Sequence, residues 1–263
     1  MSSLQDAIAC PLCRQPLAKL PQGCEECFNY FKTELEKIPT PLMDLTPSAA
    51  LAQIEIYIVP RKLLRTELFR SPIISFLYER VLPPIWAMGL RNRGIDVEFQ
   101  QCTEFFGQGP EIVVDISCGT GMMARRLAQL GQYKHIIALD YSETMLQQLQ
   151  QQMQLDSIPP SQITIIRADV EALPLAADSV DAIYTGAAMH CWPNPEEGIS
   201  NIYRVLRRGG KLFATTFLKP LPSVVFRFFT VDELRQIFIT AGFHPDQVWV
   251  EAKGIYGIIK CLK

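Results

Sequence analysis

The sequence predicts an α/β protein: a doubly wound, mostly parallel, seven-stranded sheet with helices on both faces, preceded by a small cysteine-rich segment. Three observations carry that prediction. After Pro110, short apolar runs alternate with stretches of helical periodicity, the pattern of repeated strand–helix units around a parallel sheet. A turn of small residues, Ser117-Cys118-Gly119-Thr120-Gly121, joins the first of these strands to its helix. Four of the eight cysteines fall between Cys10 and Cys27, in two C-x-x-C pairs.

Length and composition agree with this. A chain of 263 residues, 48% of them hydrophobic, can build one sizeable domain with a substantial core and a small appendage. The formal net charge of −2 shows no overall basic excess, which argues against nucleic acid as the first choice of partner. No run of about eighteen apolar residues occurs, so no transmembrane helix is expected. Met1 to Ala9 lacks the charged and apolar regions of a secretory signal, and the cytosol is the default expectation. Thiols there stay reduced, so cysteines are read as ligands, site residues or small apolar groups before disulfides.

Along the chain, Pro39, Pro41 and Pro47 mark a linker, and the boundary is placed near Thr46. Residues 1–46 are the cysteine-rich segment and 47–263 the main domain. Between Lys62 and Arg93, Phe69, Ile73, Leu77 and Val81 recur every four residues. This predicts amphipathic helices, divided by Pro72, Pro83 and Pro84, that lie over the domain as a lid.

Glu111 to Asp115 is the first buried strand of the main domain, followed by a helix from Met122 to Leu130 that stops at Gly131. His135 to Asp140 is the second strand. Ser142 is placed to cap a helix beginning at Glu143. Ile163 to Arg167 and Val180 to Tyr184 are the third and fourth strands. Asn194, Pro195 and Glu197 suit the N-cap, N1 and N3 positions of a helix reaching about Leu206. Gly209 and Gly210 predict a turn before a fifth strand, Lys211 to Phe217. Thr230 and Glu233 form a capping box, with Phe229 and Leu234 set for a hydrophobic staple, and Gly242 ends that helix. Two strands around Gly254, Gln247 to Glu251 and Ile255 to Leu262, complete the sheet.

The chemistry is expected at the carboxyl ends of the strands, where open α/β sheets bind ligands. Gly119 and Gly121 let the backbone after the first strand approach a ligand. Asp140 ends the second strand, nineteen residues after Gly121, where an acid can accept hydrogen bonds from both ribose hydroxyls. Asp169 follows the third strand, where it can take an adenine amino group. Each acid alone is more often a helix cap or a solvated residue; three such elements on successive strands point to a nucleoside cofactor. No G-x-G-x-x-G occurs, and that pattern serves a phosphate. S-adenosylmethionine (SAM) has no phosphate and fits the turn better.

These segments also resemble a known group. Asp115 to Gly121, Leu139-Asp140-Tyr141-Ser142, Ala168-Asp169, Leu173-Pro174 and Arg204-Val205-Leu206-Arg207-Arg208-Gly209-Gly210 are similar to the motif series of class I, Rossmann-like SAM methyltransferases. Within that class the chain looks like the ubiquinone/menaquinone-biosynthesis methyltransferase family. Thr66 to Pro72 and Gly186 to Pro193 are similar to a plastid and cyanobacterial-type subgroup of it. The resemblance covers roughly residues 62 to 262. It implies methyl transfer from SAM, and cofactor contacts at Asp115, Ser117, Cys118, Gly119, Gly121, Asp140, Tyr141, Met145, Asp169, Val170 and Gly186. The chain departs from the group at Ser117, where the turn usually begins with glycine, a residue with wider backbone freedom.

On the acceptor side, methyl transfer from a sulfonium is an in-line displacement, so positioning and exclusion of water do much of the work. His190, just beyond the fourth strand, is the candidate catalytic base, against the plainer alternative of a packing residue. Leu218, Leu221, Val224, Val225, Phe226 and Phe228 make the following segment apolar, suited either to core packing or to a pocket for an apolar small-molecule acceptor.

Cys10 and Cys13, with Cys24 and Cys27 ten residues further on, have the spacing of a tetrahedral structural zinc site; a redox pair or unrelated thiols are the alternatives. Some ribosomal-RNA guanine methyltransferases carry a similar cysteine knuckle, which keeps RNA as the second candidate acceptor. A non-catalytic SAM-binding or zinc-mediated interaction module is the third reading.

Overall fold

The computed structural model describes residues 7–9, 43–44, 95–219 and 226–263. The four cysteines of the two C-x-x-C pairs, the boundary near Thr46 and the expected helical lid at 62–93 lie outside the described residues.

The main sheet consists of β1 (Ile112–Ile116), β2 (His135–Asp140), β3 (Ile163–Arg167), β4 (Val180–Thr185), β5 (Leu206–Phe217), β6 (Val248–Lys253) and β7 (Tyr256–Leu262). Their order is β3-β2-β1-β4-β5-β7-β6, with β1 to β5 parallel and β7 antiparallel to both of its neighbours. A two-residue strand, Met43–Asp44, extends the β3 edge by pairing with Ile166 and Arg167. The sheet reverses its order between β1 and β4, and this switch point is where open α/β folds bind ligands. All five residues of β1 are buried, as both faces of a central parallel strand must be.

Five α-helices are described: α1 (Ile95–Phe106), α2 (Met122–Leu130), α3 (Glu143–Leu155), α4 (Pro195–Val205) and α5 (Val231–Ala241). The first three cover one face, burying Phe106, Leu127, Leu146 and Leu149; α4 and α5 cover the other with Ile199, Ile202, Leu234 and Phe238. The helix ends follow local chemistry. Ser142 accepts from the Met145 N–H, and Asn194 from the Glu197 N–H. Thr230 and Glu233 satisfy each other's backbone donors in a complete capping box.

Three differences from expectation have physical reasons. α1 falls between two regions read from sequence, although Ile95, Phe99, Cys102 and Phe106 have helical spacing. Gly209 and Gly210 do not break the chain before the fifth strand. Leu206 already pairs with Val180, the register shifts before Lys211, and Gly209 absorbs the irregularity at φ 73° while bonding to the terminal Lys263 carbonyl. The two flanks of the cysteine-rich segment also return to the main domain. Ala7, Ile8 and Ala9 are fully buried, with Ala9 N–H bonded to Pro174 O and Ala176 N–H to Ala7 O, while Met43–Asp44 joins the sheet edge.

Candidate active site

A cavity of about 750 Å³ opens at the carboxyl ends of β1, β2 and β4. Its wall begins at the turn after β1. Cys118 N–H donates to Leu139 O, and Gly119 N–H donates to Asp140 Oδ2 at 2.9 Å, which draws the turn against the end of β2. Asp140 Oδ1 accepts the Ser142 N–H at 2.8 Å. One carboxylate thus ties the turn to the α3 cap, and each oxygen keeps a further acceptor position for a ligand. Burial raises the Asp140 pKa, and the two backbone donors partly oppose the rise.

Asp115 is 1% exposed. Its Oδ2 accepts the Ala124 N–H in the first turn of α2, while Oδ1 is buried without a hydrogen-bond partner. Burial pushes this carboxyl well above the usual range; the Ala124 donor works against that, and neighbouring Asp140 and Glu98 add to it. A buried acceptor left without a donor at the edge of a cavity calls for one from a ligand. Asp169 caps the short turn after β3, its Oδ1 accepting the Glu171 N–H at 3.0 Å, and it also faces the cavity.

Of the residues singled out in the sequence, Asp115, Ser117, Cys118, Gly119, Asp140, Tyr141, Met145, Asp169, Val170 and Gly186 line this cavity. Gly121 does not. It sits at φ 71° as the N-cap of α2, and a Cβ there would meet Leu149 Cδ1 at 2.3 Å, so its role is to bring α2 close to α3. The Cys118 thiol is raised by burial and then by Asp115 and Asp140, and so stays a protonated, unreactive group.

Ser117 occupies the left-handed region at φ 56° despite being serine. Its Oγ accepts the Trp192 Nε1–H at 3.0 Å, and Trp192 is 5% exposed. The hydroxyl supplies a buried indole with its partner, which offsets the backbone cost of a side chain in this conformation.

His190 is not brought to the cavity. It is 3% exposed and packs against the rings of Phe217, Phe226 and Phe228 at centroid distances of 5.0, 5.4 and 6.0 Å. Nδ1 is buried without a partner, and burial lowers the pKa to about 4. Its neighbours Ala188, Cys191 and Trp192 line the cavity instead. The structure thus seats the imidazole behind the wall, among three rings, rather than on the acceptor side expected from sequence. Residues 220–225 of the apolar segment lie outside the described residues; Phe217 reaches the cavity, and Phe226 and Phe228 enclose His190.

The wall towards β5 and β7 contains a cluster that sequence reasoning missed. Glu98, in the first turn of α1, accepts the Tyr184 hydroxyl at 2.5 Å and the Thr215 hydroxyl at 2.9 Å on Oε1, and the Tyr256 hydroxyl at 2.8 Å on Oε2. Thr215 Oγ1 also receives the Ala187 N–H at 3.0 Å. All four side chains of the cluster line the cavity. Around them Val97, Met122, Phe217 and Ile258 are apolar, and Val97 and Met122 are exposed at its rim.

Comparison with known proteins places this arrangement. A family model described as a methyltransferase domain matches residues 114–214. An uncharacterized chloroplastic methyltransferase of Arabidopsis thaliana is 40% identical over 234 residues, covering 82% of this chain and 63% of that protein. A second from the same plant is 35% identical over 253 residues, covering 90% of this chain and 68% of its own length. The chain thus spans about two thirds of these relatives. The chloroplastic 2-methyl-6-phytyl-1,4-hydroquinone methyltransferase of Arabidopsis thaliana is 30% identical over 183 residues, covering 66% of this chain and 51% of that protein. Among solved structures, a SAM-dependent methyltransferase from Aquifex aeolicus shares the fold at a TM-score of 0.53 and 17% identity, over 63% of this chain and 89% of that one. A Haemonchus contortus phosphoethanolamine N-methyltransferase does so at 0.56 and 19%, over 73% and 47%. The chain belongs to the class I SAM-dependent methyltransferases.

Proposed function

We propose that this methyltransferase carries the methyl group of SAM to a small apolar acceptor of the hydroquinone class. The observation that carries the reading is the convergence of Asp115, Asp140 and Asp169, from the ends of three neighbouring strands, on one cavity whose opposite wall is apolar and hydroxyl-rich. When bound, SAM supplies an activated methyl group on a sulfonium. Asp140 is suited to the ribose hydroxyls and Asp169 to the adenine amino group. The unpartnered Asp115 Oδ1 is suited to the methionyl ammonium, and the Gly119 turn to close backbone approach. The concave, largely apolar wall orients the acceptor and keeps water out, which is what an already activated donor requires.

The hydroquinone class is taken from the relatives that methylate such rings and from the apolar rim formed by Val97 and Met122. The three relatives described above are chloroplastic, and we place the chain in a plastid-type compartment rather than the cytosol expected from its sequence alone. No helix among the described residues is long and apolar enough to cross a membrane. The test is incubation of the purified protein with methyl-labelled SAM and 2-methyl-6-phytyl-1,4-hydroquinone. Label in the ring is expected; label in added ribosomal RNA, with none in the quinol, would replace this reading with the RNA one.

For the segment ahead of the domain, the spacing of Cys10, Cys13, Cys24 and Cys27 supports one structural zinc. Metal analysis of the protein purified without added metal is expected to find one zinc per chain. The same content in the Cys10→Ser, Cys13→Ser double variant would exclude the site.

A further inference from the structure

We propose that Glu98 is the acceptor-binding carboxylate, taking a hydrogen bond from a phenolic hydroxyl of the acceptor; this rests on the hydroquinone reading above. A carboxylate offers about four acceptor positions. Oε1 uses both of its own on Tyr184 and Thr215, and Oε2 uses one on Tyr256. One position on Oε2 is left, on a side chain that lines the cavity. What is missing there is a donor, and an acceptor molecule bearing a hydroxyl brings one.

The framework around that position is stiff. Tyr184 is the penultimate residue of β4, Thr215 lies near the end of β5, and Tyr256 begins the antiparallel β7 opposite Phe217, so all three stand at the same edge of the sheet. Glu98 comes from the opposite element, at the N-terminus of α1, where the helix dipole favours a carboxylate. Three fixed hydroxyls hold its carboxyl plane in place, as a binding group needs if it is to orient a flat ring. A hydrogen bond from a phenol to a carboxylate draws the proton towards the protein and raises electron density on the ring, which favours attack of an ortho carbon on the methyl group. The new C–C bond forms as the S–CH3 bond breaks, and its electron pair stays on sulfur in S-adenosylhomocysteine. The methylated ring carbon then releases its proton to solvent to restore the aromatic quinol. The bonds to Tyr184, Thr215 and Tyr256 also tie α1 to the sheet, but that alone would not require all four side chains to face a cavity.

The experiment uses protein saturated with S-adenosylhomocysteine and follows the binding of methylhydroquinone and of its dimethyl ether, which cannot donate. Wild-type protein is expected to bind the hydroquinone about tenfold more tightly than the ether, the worth of one charge-assisted hydrogen bond. Glu98→Gln should lose that discrimination while its S-adenosylhomocysteine affinity stays within about twofold, since the bond it removes is on the acceptor side. Should Glu98→Gln fail to fold, Tyr256→Phe serves as the second variant, with the carboxylate less firmly held and the discrimination reduced. Equal binding of the two probes to wild type, or full discrimination in a folded Glu98→Gln, would overturn the proposal. Probe discrimination without methylation of the prenylated quinol would retain this site and remove the hydroquinone reading of the reaction. Equal methylation by wild type and Glu98→Gln would do the reverse.

Discussion

The two walls of the cavity are built on different length scales. At the strand-end acids, contacts close within short stretches of chain. Asp169 caps a turn two residues on, Asp140 holds Ser142 two residues on, Asp115 reaches Ala124 nine residues on, and the longest reach, Asp140 to Gly119, spans 21 positions. At the opposite wall, Glu98 bonds to side chains 86, 117 and 158 positions away. The first wall is made mainly of backbone donors gathered by carboxylates, and the second of side-chain hydroxyls gathered by one carboxylate. A binding wall made of local turns can keep its form while the rest of the sheet changes, whereas the second depends on the whole sheet being in register. Variants should therefore separate the two.

The largest separation is expected at Asp140. Asp140→Ala removes the acceptor for the Gly119 and Ser142 N–H groups and the proposed ribose contact. Two charge-assisted bonds lost to a ligand correspond to roughly 3 kcal/mol, or about a hundredfold in SAM affinity. Calorimetric titration with SAM is the measurement, and methylhydroquinone binding should change far less. Unaltered SAM affinity would break the comparison at its stronger side.

This contrast in length scale also accounts for what could be read from the chain alone. The strand series, the Ser142, Asn194 and Thr230 caps and the cavity-lining turn are local patterns, and the structure places them where periodicity and capping chemistry put them. The seat of His190 was not legible, because its surroundings come from Phe217 at the end of the next strand and from Phe226 and Phe228 beyond it. The Glu98 cluster was hidden for the same reason. Its one local trace is the helical spacing of Ile95, Phe99, Cys102 and Phe106, with Asp96 and Glu98 acidic in the first turn. The two glycines at 209 and 210 misled because a bulge and a turn draw on the same residue, and only pairing with β4 and the terminal Lys263 distinguishes them.

His190 gives a prediction of intermediate size. Its pKa falls from 6.5 to about 4 in the folded protein because the ring is buried. The unfolded chain therefore binds a proton that the folded one refuses between those values. Stability is full above pH 6.5, falls as the pH drops towards 4, and loses no more from this group below that. The total is about 3 kcal/mol. His190→Leu should flatten this acid limb in denaturant melts taken from pH 7 to pH 4. At neutral pH it should lower methyl transfer only a few-fold, because the ring lies behind the wall. A fall of about 10²–10⁴ in the single-turnover rate would restore the base role.

The smallest effect, and the most informative about the turn, concerns Ser117. Both Ser117→Gly and Ser117→Ala remove the acceptor of the Trp192 indole N–H, so both incur the same cost of leaving a buried donor unpaired, about 1–3 kcal/mol. They differ in the backbone. At φ 56° alanine keeps the penalty of a side chain in the left-handed region, about 1–2 kcal/mol, which glycine escapes. Glycine gives back part of that advantage, roughly 0.5–1 kcal/mol, through the greater freedom of its unfolded chain. Ser117→Ala should therefore be less stable than Ser117→Gly by about 1 kcal/mol, and Ser117→Gly should itself lie about 1 kcal/mol below wild type, because the net relief of strain offsets only part of the lost bond. Urea denaturation of the three proteins at neutral pH resolves a difference of this size. If alanine proved the more stable of the two, backbone strain at this turn would be unimportant. The serine would then be held by its bond to Trp192 alone, and its place at a position where related turns carry glycine would follow from the packing of the tryptophan rather than from a balance of two opposing terms.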